Sequence, residues 1–212
     1  MTVDSVLRAI SLNDSSELES CYDNWAPTYD KDHLSFGLYL LVHFVGAFCK
    51  HVSLDTFPIL DAGCGTGRLG EALKLHGYSS LTGLDFSKGM LEKAECKQVY
   101  DNLHHMRLGD SLDLPDNYFA VTASVGALTV GHAKADSFDE LLRVTKAEGL
   151  LILSMRSGHE PETNFNCKRT ELEQMGVWRL IDKVPEFISH PEFSPPNKHE
   201  IYVYRKNKEA ES

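Results

Sequence analysis

The feature that most constrains this chain is a cluster of glycines that directly follows a short apolar run. Four of its 15 glycines fall within ten residues, in Asp61-Ala62-Gly63-Cys64-Gly65-Thr66-Gly67-Arg68-Leu69-Gly70. The run at 57–60 has the length of a buried strand, and a helical pattern follows the cluster. Glycine adopts positive φ and lets a ligand approach the backbone where a Cβ would collide. The cluster therefore predicts a strand, a tight loop and a helix whose first amides face a ligand.

Strand and helix patterns alternate through most of the chain. Helical patterns occupy about residues 17–51, and apolar runs of strand length follow at 57–60, 80–84, 103–108, 119–125 and 150–155. Helical patterns separate these runs, which predicts a parallel sheet covered on both faces. A last helix is predicted near 169–176. The runs at 178–184 and 200–204 have no helix between them, so they are predicted to pair antiparallel.

Three sequence features mark predicted helix ends. Ser87 is predicted to be the N-cap of the helix after the second strand. Ser137 and Glu140 have the spacing of a capping box at the start of a later helix. Gly149 is predicted to end that helix and admit the fifth strand.

Two interpretations of the glycine loop remain open. Residues 65–70 match GxGxxG, the pyrophosphate fingerprint of dinucleotide-binding folds. The longer pattern, from Asp61 to Gly67, places a carboxylate at the strand end, which favours a cation such as the ammonium of a methionine moiety. Asp85 ends the second strand, where it can accept both ribose hydroxyls of a nucleoside. Asp110 follows the third strand and can accept a hydrogen bond from an adenine amine.

At these residues the chain resembles the class I S-adenosylmethionine-dependent methyltransferases, over roughly residues 20–205. The most specific motifs are 59–67, Gly83-Leu84-Asp85-Phe86-Ser87 and Asp110. More narrowly, the chain is similar to the methyltransferase-like group named for the Williams–Beuren syndrome chromosomal region. That similarity is carried by Tyr22-Asp23-x-Trp25-Ala26-x-x-Tyr29-Asp30, by Val125-Gly126-Ala127-Leu128-Thr129-x-Gly131-His132, by 141–146 and by 202–206.

The resemblance implies an α/β fold, a Rossmann-like doubly wound sheet of seven strands with the last strand antiparallel, plus an N-terminal helical cap. The expected organisation is a cap at 1–51, a methyltransferase domain at 52–206 and a polar tail at 207–212. S-adenosyl-L-methionine is the implied cofactor. The implied cofactor-binding residues are Tyr29, Asp61, Ala62, Gly63, Cys64, Gly65, Thr66, Gly67, Asp85, Phe86, Met90, Asp110, Ser111, Leu112 and Val125.

No motif names the methyl acceptor. Val125-Gly126-Ala127-Leu128 stands where nucleobase amine methyltransferases place (D/N)PP(Y/F), so methylation of a base is disfavoured. Three residues are substrate-side candidates, each with a plainer alternative. His132 is a candidate base or a solvated loop histidine. Arg156 can meet an anionic substrate or form a surface ion pair. Trp25, with Tyr29, can face the sulfonium through cation–π attraction or simply pack within the helices.

Composition narrows the class of protein. The 212 residues include 21 basic and 31 acidic side chains, a net charge of −10 that disfavours nucleic acid as partner and leaves a small-molecule acceptor as the expectation. The five cysteines contain no CxxC pair, which predicts no metal site and a reducing compartment, the cytoplasm or the nucleus. The apolar stretch at 34–49 is too short and interrupted to predict a membrane span, and no secretory signal is recognised.

Two other functions are weighed against methyl transfer. A non-catalytic module that binds S-adenosylmethionine as a partner subunit would carry the same motifs. A nicotinamide-dependent oxidoreductase would use the embedded GxGxxG, but Asp61 and the lack of a Tyr-x-x-x-Lys dyad disfavour it. The oligomeric state is not predicted.

Overall fold

A seven-stranded sheet organises the chain in the computed structural model, which describes residues 15–36, 38–129, 133–157 and 163–208. Its strands lie in the order β3-β2-β1-β4-β5-β7-β6. In chain order they are β1 Ile59–Ala62, β2 Leu81–Asp85, β3 Asn102–His105, β4 Phe119–Ser124, β5 Thr145–Ser157, β6 Trp178–His190 and β7 Asn197–Lys206.

The direction of the strands fixes where a ligand can bind. β1 pairs in parallel with β2 on one side and β4 on the other, so the strand order reverses between β1 and β4. In an open parallel sheet, that reversal leaves a crevice at the carboxyl ends of the strands. β7 runs antiparallel to both β5 and β6. The predicted seven-stranded sheet with its last strand antiparallel is confirmed.

Helices cover both faces of this sheet. The central strands β1, β2 and β4 are therefore buried on both sides. Phe44 and Phe48 pack on one face with Leu69 and Leu73, and Phe138 and Leu141 pack on the other face with Phe165 and Leu172. The helices are α1 Ser15–Trp25, α2 Tyr29–Phe36, α3 Leu38–His51, α4 Arg68–Leu75, α5 Lys88–Cys96, α6 Ser137–Val144 and α7 Thr163–Gln174. No helix in these described stretches is long and apolar enough to cross a membrane.

The predicted N-cap at Ser87 is confirmed, since its side chain accepts a hydrogen bond from the Met90 amide at 3.1 Å. The predicted end of α6 at Gly149 is wrong, because Gly149 lies inside β5. α6 ends at Val144, and Thr145 begins β5 directly. The Oγ1 of Thr145 donates to the Leu141 carbonyl at 2.6 Å, which satisfies an acceptor in the last turn of the helix.

The predicted capping box at Ser137 is also wrong. Asp136 is the N-cap residue of α6 and makes no side-chain capping bond. The carboxylate of Glu140 is held elsewhere: it accepts from the Leu112 amide at 2.7 Å and from Arg143 at 2.8 Å. A charged partner and a loop amide from another part of the fold outweigh the local capping pattern.

The N-terminal helices are attached to the sheet by acidic side chains. Asp23 Oδ1 accepts from Ser87 Oγ at 2.6 Å and from the Gly89 amide at 2.9 Å, so α1 is joined to the first turn of α5. Asp30, in α2, accepts from Thr66 Oγ1 at 2.5 Å within the glycine loop and pairs with Lys97 Nζ at 2.7 Å. These bonds hold α1 and α2 over the carboxyl ends of β1 and β2.

Candidate cofactor site

The glycine loop joins β1 to α4 and closely approaches the loop after β4. Gly63 has φ +82°, and a Cβ there would lie 2.4 Å from the Cβ of Ala127. Glycine is therefore required at this position both by the backbone conformation and by the neighbouring loop. The result is a stretch of bare backbone at the crevice between β1 and β4.

The last glycine of the GxGxxG pattern accommodates a tyrosine of the same chain. A Cβ at Gly70, in α4, would lie 2.4 Å from the Cζ of Tyr100. The Gly70 amide also donates to the Tyr100 hydroxyl oxygen at 3.2 Å. Packing against Tyr100 therefore accounts for the last glycine of the GxGxxG pattern without a bound dinucleotide.

Asp61, near the end of β1, is a buried carboxylate with only one of its two oxygens hydrogen-bonded to a described residue. Its Oδ2 accepts from the Tyr100 hydroxyl at 2.6 Å. Its Oδ1 is buried and has no hydrogen-bond partner among the described residues. Burial raises the pKa of Asp61 to about 7, the Tyr100 hydrogen bond opposes this rise, and the charge of Asp85 adds to it. A buried acceptor without a partner favours a cationic donor such as an ammonium group.

Asp85, at the end of β2, faces the crevice. Its Oδ2 accepts from the Gly65 amide at 2.8 Å, and its Oδ1 accepts from the Ser87 amide at 2.9 Å. Burial raises the pKa of Asp85 to about 6, and the backbone hydrogen bonds act in the opposite direction. A carboxylate has about four acceptor positions, so this one can still accept from a ligand. The loop amides fix its orientation before any ligand binds.

One pocket lies at these strand ends, with about 540 Å³ of space including its open mouth. Its walls are mainly apolar and aromatic, its floor is the glycine loop, and Asp85 is its carboxylate. Tyr22 meets Phe86 edge to face, with ring centroids 5.4 Å apart. The lining residues are Tyr22, Tyr29, Gly63, Gly65, Leu84, Asp85, Phe86, Met90, Met106, Leu108, Val125, Gly126 and Ala127. A nucleoside that carries a cationic group suits these walls.

Comparison with known proteins agrees with this geometry. The methyltransferase domain family matches residues 60–153, which run from β1 into β5. Human methyltransferase-like protein 27 is 35% identical over 168 residues, which cover 74% of this chain and 66% of the relative. The chain belongs to the class I S-adenosylmethionine-dependent methyltransferases.

Other similar proteins are also named as methyltransferases. The 2-methyl-6-phytyl-1,4-hydroquinone methyltransferase of Synechocystis is 28% identical over 89% of this chain and 64% of its own length. The chain thus spans about two thirds or less of the length of these curated relatives. A TehB-like methyltransferase structure from Corynebacterium glutamicum shares the fold, with a TM-score of 0.61, 17% identity and coverage of 89% of this chain and 99% of the other.

S-adenosylmethionine is the cofactor of this class, and the pocket fits it chemically. Asp61 does not line the pocket, but its buried carboxylate lies directly behind the glycine loop, where a negative charge favours the ammonium of the methionine part. The remaining acceptor positions of Asp85 suit ribose hydroxyls. The apolar side chains of Met90, Phe86 and Leu108 suit a flat base.

Seven of the residues predicted to bind the cofactor line the pocket: Tyr29, Gly63, Gly65, Asp85, Phe86, Met90 and Val125. Six lining residues were not predicted: Tyr22, Leu84, Met106, Leu108, Gly126 and Ala127. Five of these six lie at or just after the carboxyl ends of β2, β3 and β4. The alternation of strand and helix patterns in the sequence had already located these strand ends. Tyr22 precedes Tyr29 by seven residues, the spacing of one helix face, but a turn separates the two helices.

Five predicted residues support the loop from behind the lining. Asp61 is bonded to Tyr100, Ala62 is buried in the core, and Gly67 packs close to the Tyr100 ring. Thr66 donates to Asp30 of α2. Cys64 is buried, which raises the pKa of its thiol well above its usual range. A buried thiol of this kind is unreactive.

The predicted adenine-side segment stands apart from the lining. Asp110 and Ser111 are exposed, and Leu112 is buried in the core. The segment is held by Arg143, which donates to the Leu112 and Leu114 carbonyls at 2.8 Å each. The contact of Asp110 with a cofactor stays a prediction.

The substrate-side candidates lie in different surroundings. Trp25 is buried, donates from Nε1 to Asp32 at 2.8 Å and meets Tyr29 edge to face at 4.6 Å. Arg156 lies at the carboxyl end of β5 and donates to Asn197 Oδ1 at 2.6 Å. His132 lies outside the described residues.

Proposed function

We propose that this chain catalyses methyl transfer from S-adenosylmethionine to a small-molecule acceptor. The observation that carries the proposal is the carboxylate of Asp85 in the pocket, with the buried carboxylate of Asp61 behind the glycine loop. Asp85 presents fixed oxygens to the pocket, and one oxygen of Asp61 has no hydrogen-bond partner among the described residues. Together they match a ligand that has an ammonium at one end and a ribose further along.

In this proposal the chain contributes binding and orientation. S-adenosylmethionine supplies a methyl group already activated on a sulfonium. The pocket residues hold it in one pose, and α1 and α2 exclude water above it. The ring of Tyr29, which lines the pocket, can attract the sulfonium charge. Orientation of two reactants of this kind can supply much of the rate acceleration.

Similar proteins are named for small organic groups, either free or carried on a protein. One relative is named for a phytyl hydroquinone and others for malonyl-[acyl-carrier protein]. The loop after β4 lines the pocket at Val125 and Gly126. This loop lacks the (D/N)PP(Y/F) motif of nucleobase amine methyltransferases, which disfavours a nucleobase as acceptor. The cysteines form no disulfide, which supports the expectation of a reducing compartment such as the cytoplasm.

The test is turnover. The purified chain is incubated with S-adenosylmethionine carrying a labelled methyl group and with panels of carboxylic acids, hydroquinones and amines. We expect S-adenosylhomocysteine to form in equal amount to labelled product with at least one class of acceptor. Binding of S-adenosylmethionine without turnover across all three panels would instead indicate a binding module and contradict the proposal.

A further inference from the structure

A guanidinium and two histidines lie together at the end of the sheet next to the pocket. Arg156, near the end of β5, stands directly opposite His199 of β7. Its Nη2 donates to Asn197 Oδ1 at 2.6 Å. His199 and Asn197 are buried, with 5% and 7% of their surface exposed. The guanidinium is therefore tethered to a buried partner, whereas most arginines on a surface move freely.

One serine contacts both histidines. Ser189 Oγ lies 2.6 Å from His199 Nδ1, 2.9 Å from His190 Nδ1 and 3.0 Å from the Asn197 carbonyl oxygen. The Ser189 hydroxyl therefore joins the two rings to the backbone of β7. Burial lowers the pKa of His190 to about 4 and that of His199 to about 3, so both rings are neutral at pH 7.

A continuous set of rings connects this group to the pocket. His190 meets Phe193 with ring centroids 5.7 Å apart, and Phe193 packs with Trp25. Trp25 meets Tyr29 at 4.6 Å, and Tyr29 lines the pocket. Trp25 and Phe193 are buried, so a packed layer of aromatic side chains joins Tyr29 to the histidines.

The strand itself gives a second connection. The Gly126 amide, in the loop that lines the pocket, donates to Ser154 Oγ at 2.8 Å. Ser154 precedes Arg156 by two residues in β5, so both side chains emerge on one face of the sheet. Arg156 therefore lies one step along the same face from the pocket rim.

Charges of both signs act on the histidines of this group. Arg68, the first residue of α4, acts on both His33 and His190: after burial, its positive charge contributes to their lowered pKa values. Arg156 also lowers the pKa of His190, and Glu192 opposes it. Asp30, another acid near this region, is already paired with Lys97.

We propose that Arg156 determines substrate specificity by binding a carboxylate on the acceptor, which is a small carboxylic acid with a flat, apolar body. The inference rests on the proposed function and deepens it. A planar guanidinium matches a carboxylate through two parallel hydrogen bonds. The ring of Tyr29, which lines the pocket, suits the carbon body.

The test uses the full chain saturated with S-adenosylhomocysteine, whose binding is measured first. Three pairs of probes are then titrated: phenylacetate, 3-phenylpropionate and cinnamate, each against its own amide. We expect at least one acid to bind about tenfold or more tightly than its amide, the usual gain from a charge-assisted pair. Arg156→Gln should reduce that ratio to about one, and Arg156→Lys should retain part of it.

Arg179→Gln is the matched control. Arg179 is exposed at the opposite end of β6, where it bonds Asn207 and Glu148. This variant should keep the wild-type ratio, and all variants should bind S-adenosylhomocysteine within about twofold of wild type. An acid-to-amide ratio near one in the wild type, no binding of any acid, or an unchanged ratio in Arg156→Gln would each overturn the inference. Failure to bind S-adenosylhomocysteine would refute the proposed function itself.

Discussion

The hydroxyl of Tyr100 lies 2.6 Å from Oδ2 of Asp61, and its ring occupies the space that a Cβ at Gly70 would need. One side chain from the segment before β3 thus fixes both the carboxylate of β1 and the first turn of α4. The hydrogen bond also favours ionised Asp61, because it stabilises the charged form. Tyr100 therefore couples the packing of the loop to its chemistry.

Gly70→Ala should destabilise the fold. The new methyl group would meet the Tyr100 ring at 2.4 Å, and overpacking of this kind costs about 1–3 kcal/mol, which exceeds the gain in helix propensity. Urea unfolding measures the effect. Gly46→Ala, in α3, is the control, because nothing lies within 4 Å of its Cβ and alanine should stabilise the helix by about 0.5–1 kcal/mol. Equal effects of the two changes would contradict this account.

Tyr100→Phe should lower the free energy of unfolding at pH 7.5 by about 1–3 kcal/mol. The change removes the donor to Asp61 and leaves a buried carboxylate with neither oxygen bonded. The loss should be smaller at pH 5, where Asp61 is protonated and costs less to bury. Tyr118→Phe, at an exposed tyrosine, should change stability by less than about 0.5 kcal/mol. A loss that does not depend on pH would argue against the assigned role.

Asp61→Asn should change how stability depends on pH. The folded-state pKa of Asp61, about 7, lies above the unfolded value of about 3.9, so the folded state binds this proton more tightly. The associated stability is present below about pH 4 and is lost as pH rises to about 7. Asparagine does not titrate. The stability of wild type relative to the variant should therefore fall by up to about 4 kcal/mol over that window.

Denaturant titrations at half-unit pH intervals measure this difference directly. Comparison with the variant removes the contributions of the buried histidines, which titrate in both proteins. A difference that stays flat from pH 4 to pH 7.5 would show that Asp61 is ionised normally in the folded chain.

Asp23→Ala should loosen α1 over the pocket. Asp23 accepts from Ser87 Oγ and the Gly89 amide, and these two bonds hold the helix that carries Tyr22. We expect S-adenosylhomocysteine to dissociate about 5–20-fold faster, since each such bond contributes about 1 kcal/mol. Stopped-flow displacement measures the rate. Glu92→Ala, an exposed acid in α5, should leave it unchanged, and a similar acceleration in both variants would count against this role for Asp23.

The sequence predicted those features that depend on local pattern. The alternation of runs located the strands, and Asp85 and the glycine loop marked the pocket. The sequence did not predict contacts that depend on residues far apart along the chain. The carboxylate of Glu140 accepts hydrogen bonds from Arg143 and the Leu112 amide instead of capping α6. Gly70 packs against Tyr100, which lies 30 residues further along the chain. Asp61 was predicted near the ligand, but only the fold shows that one of its oxygens is taken by Tyr100.

The most direct measurement of the central claim is isothermal titration of S-adenosylmethionine into wild type, Asp85→Ala and Asp101→Ala. Asp85 lines the pocket, and Asp101 is exposed just before β3. We predict one site per chain in the wild type, at least about 30-fold weaker binding in Asp85→Ala from loss of charged hydrogen bonds, and unchanged binding in Asp101→Ala. No binding to the folded wild type, or equal affinity of all three proteins, would contradict it.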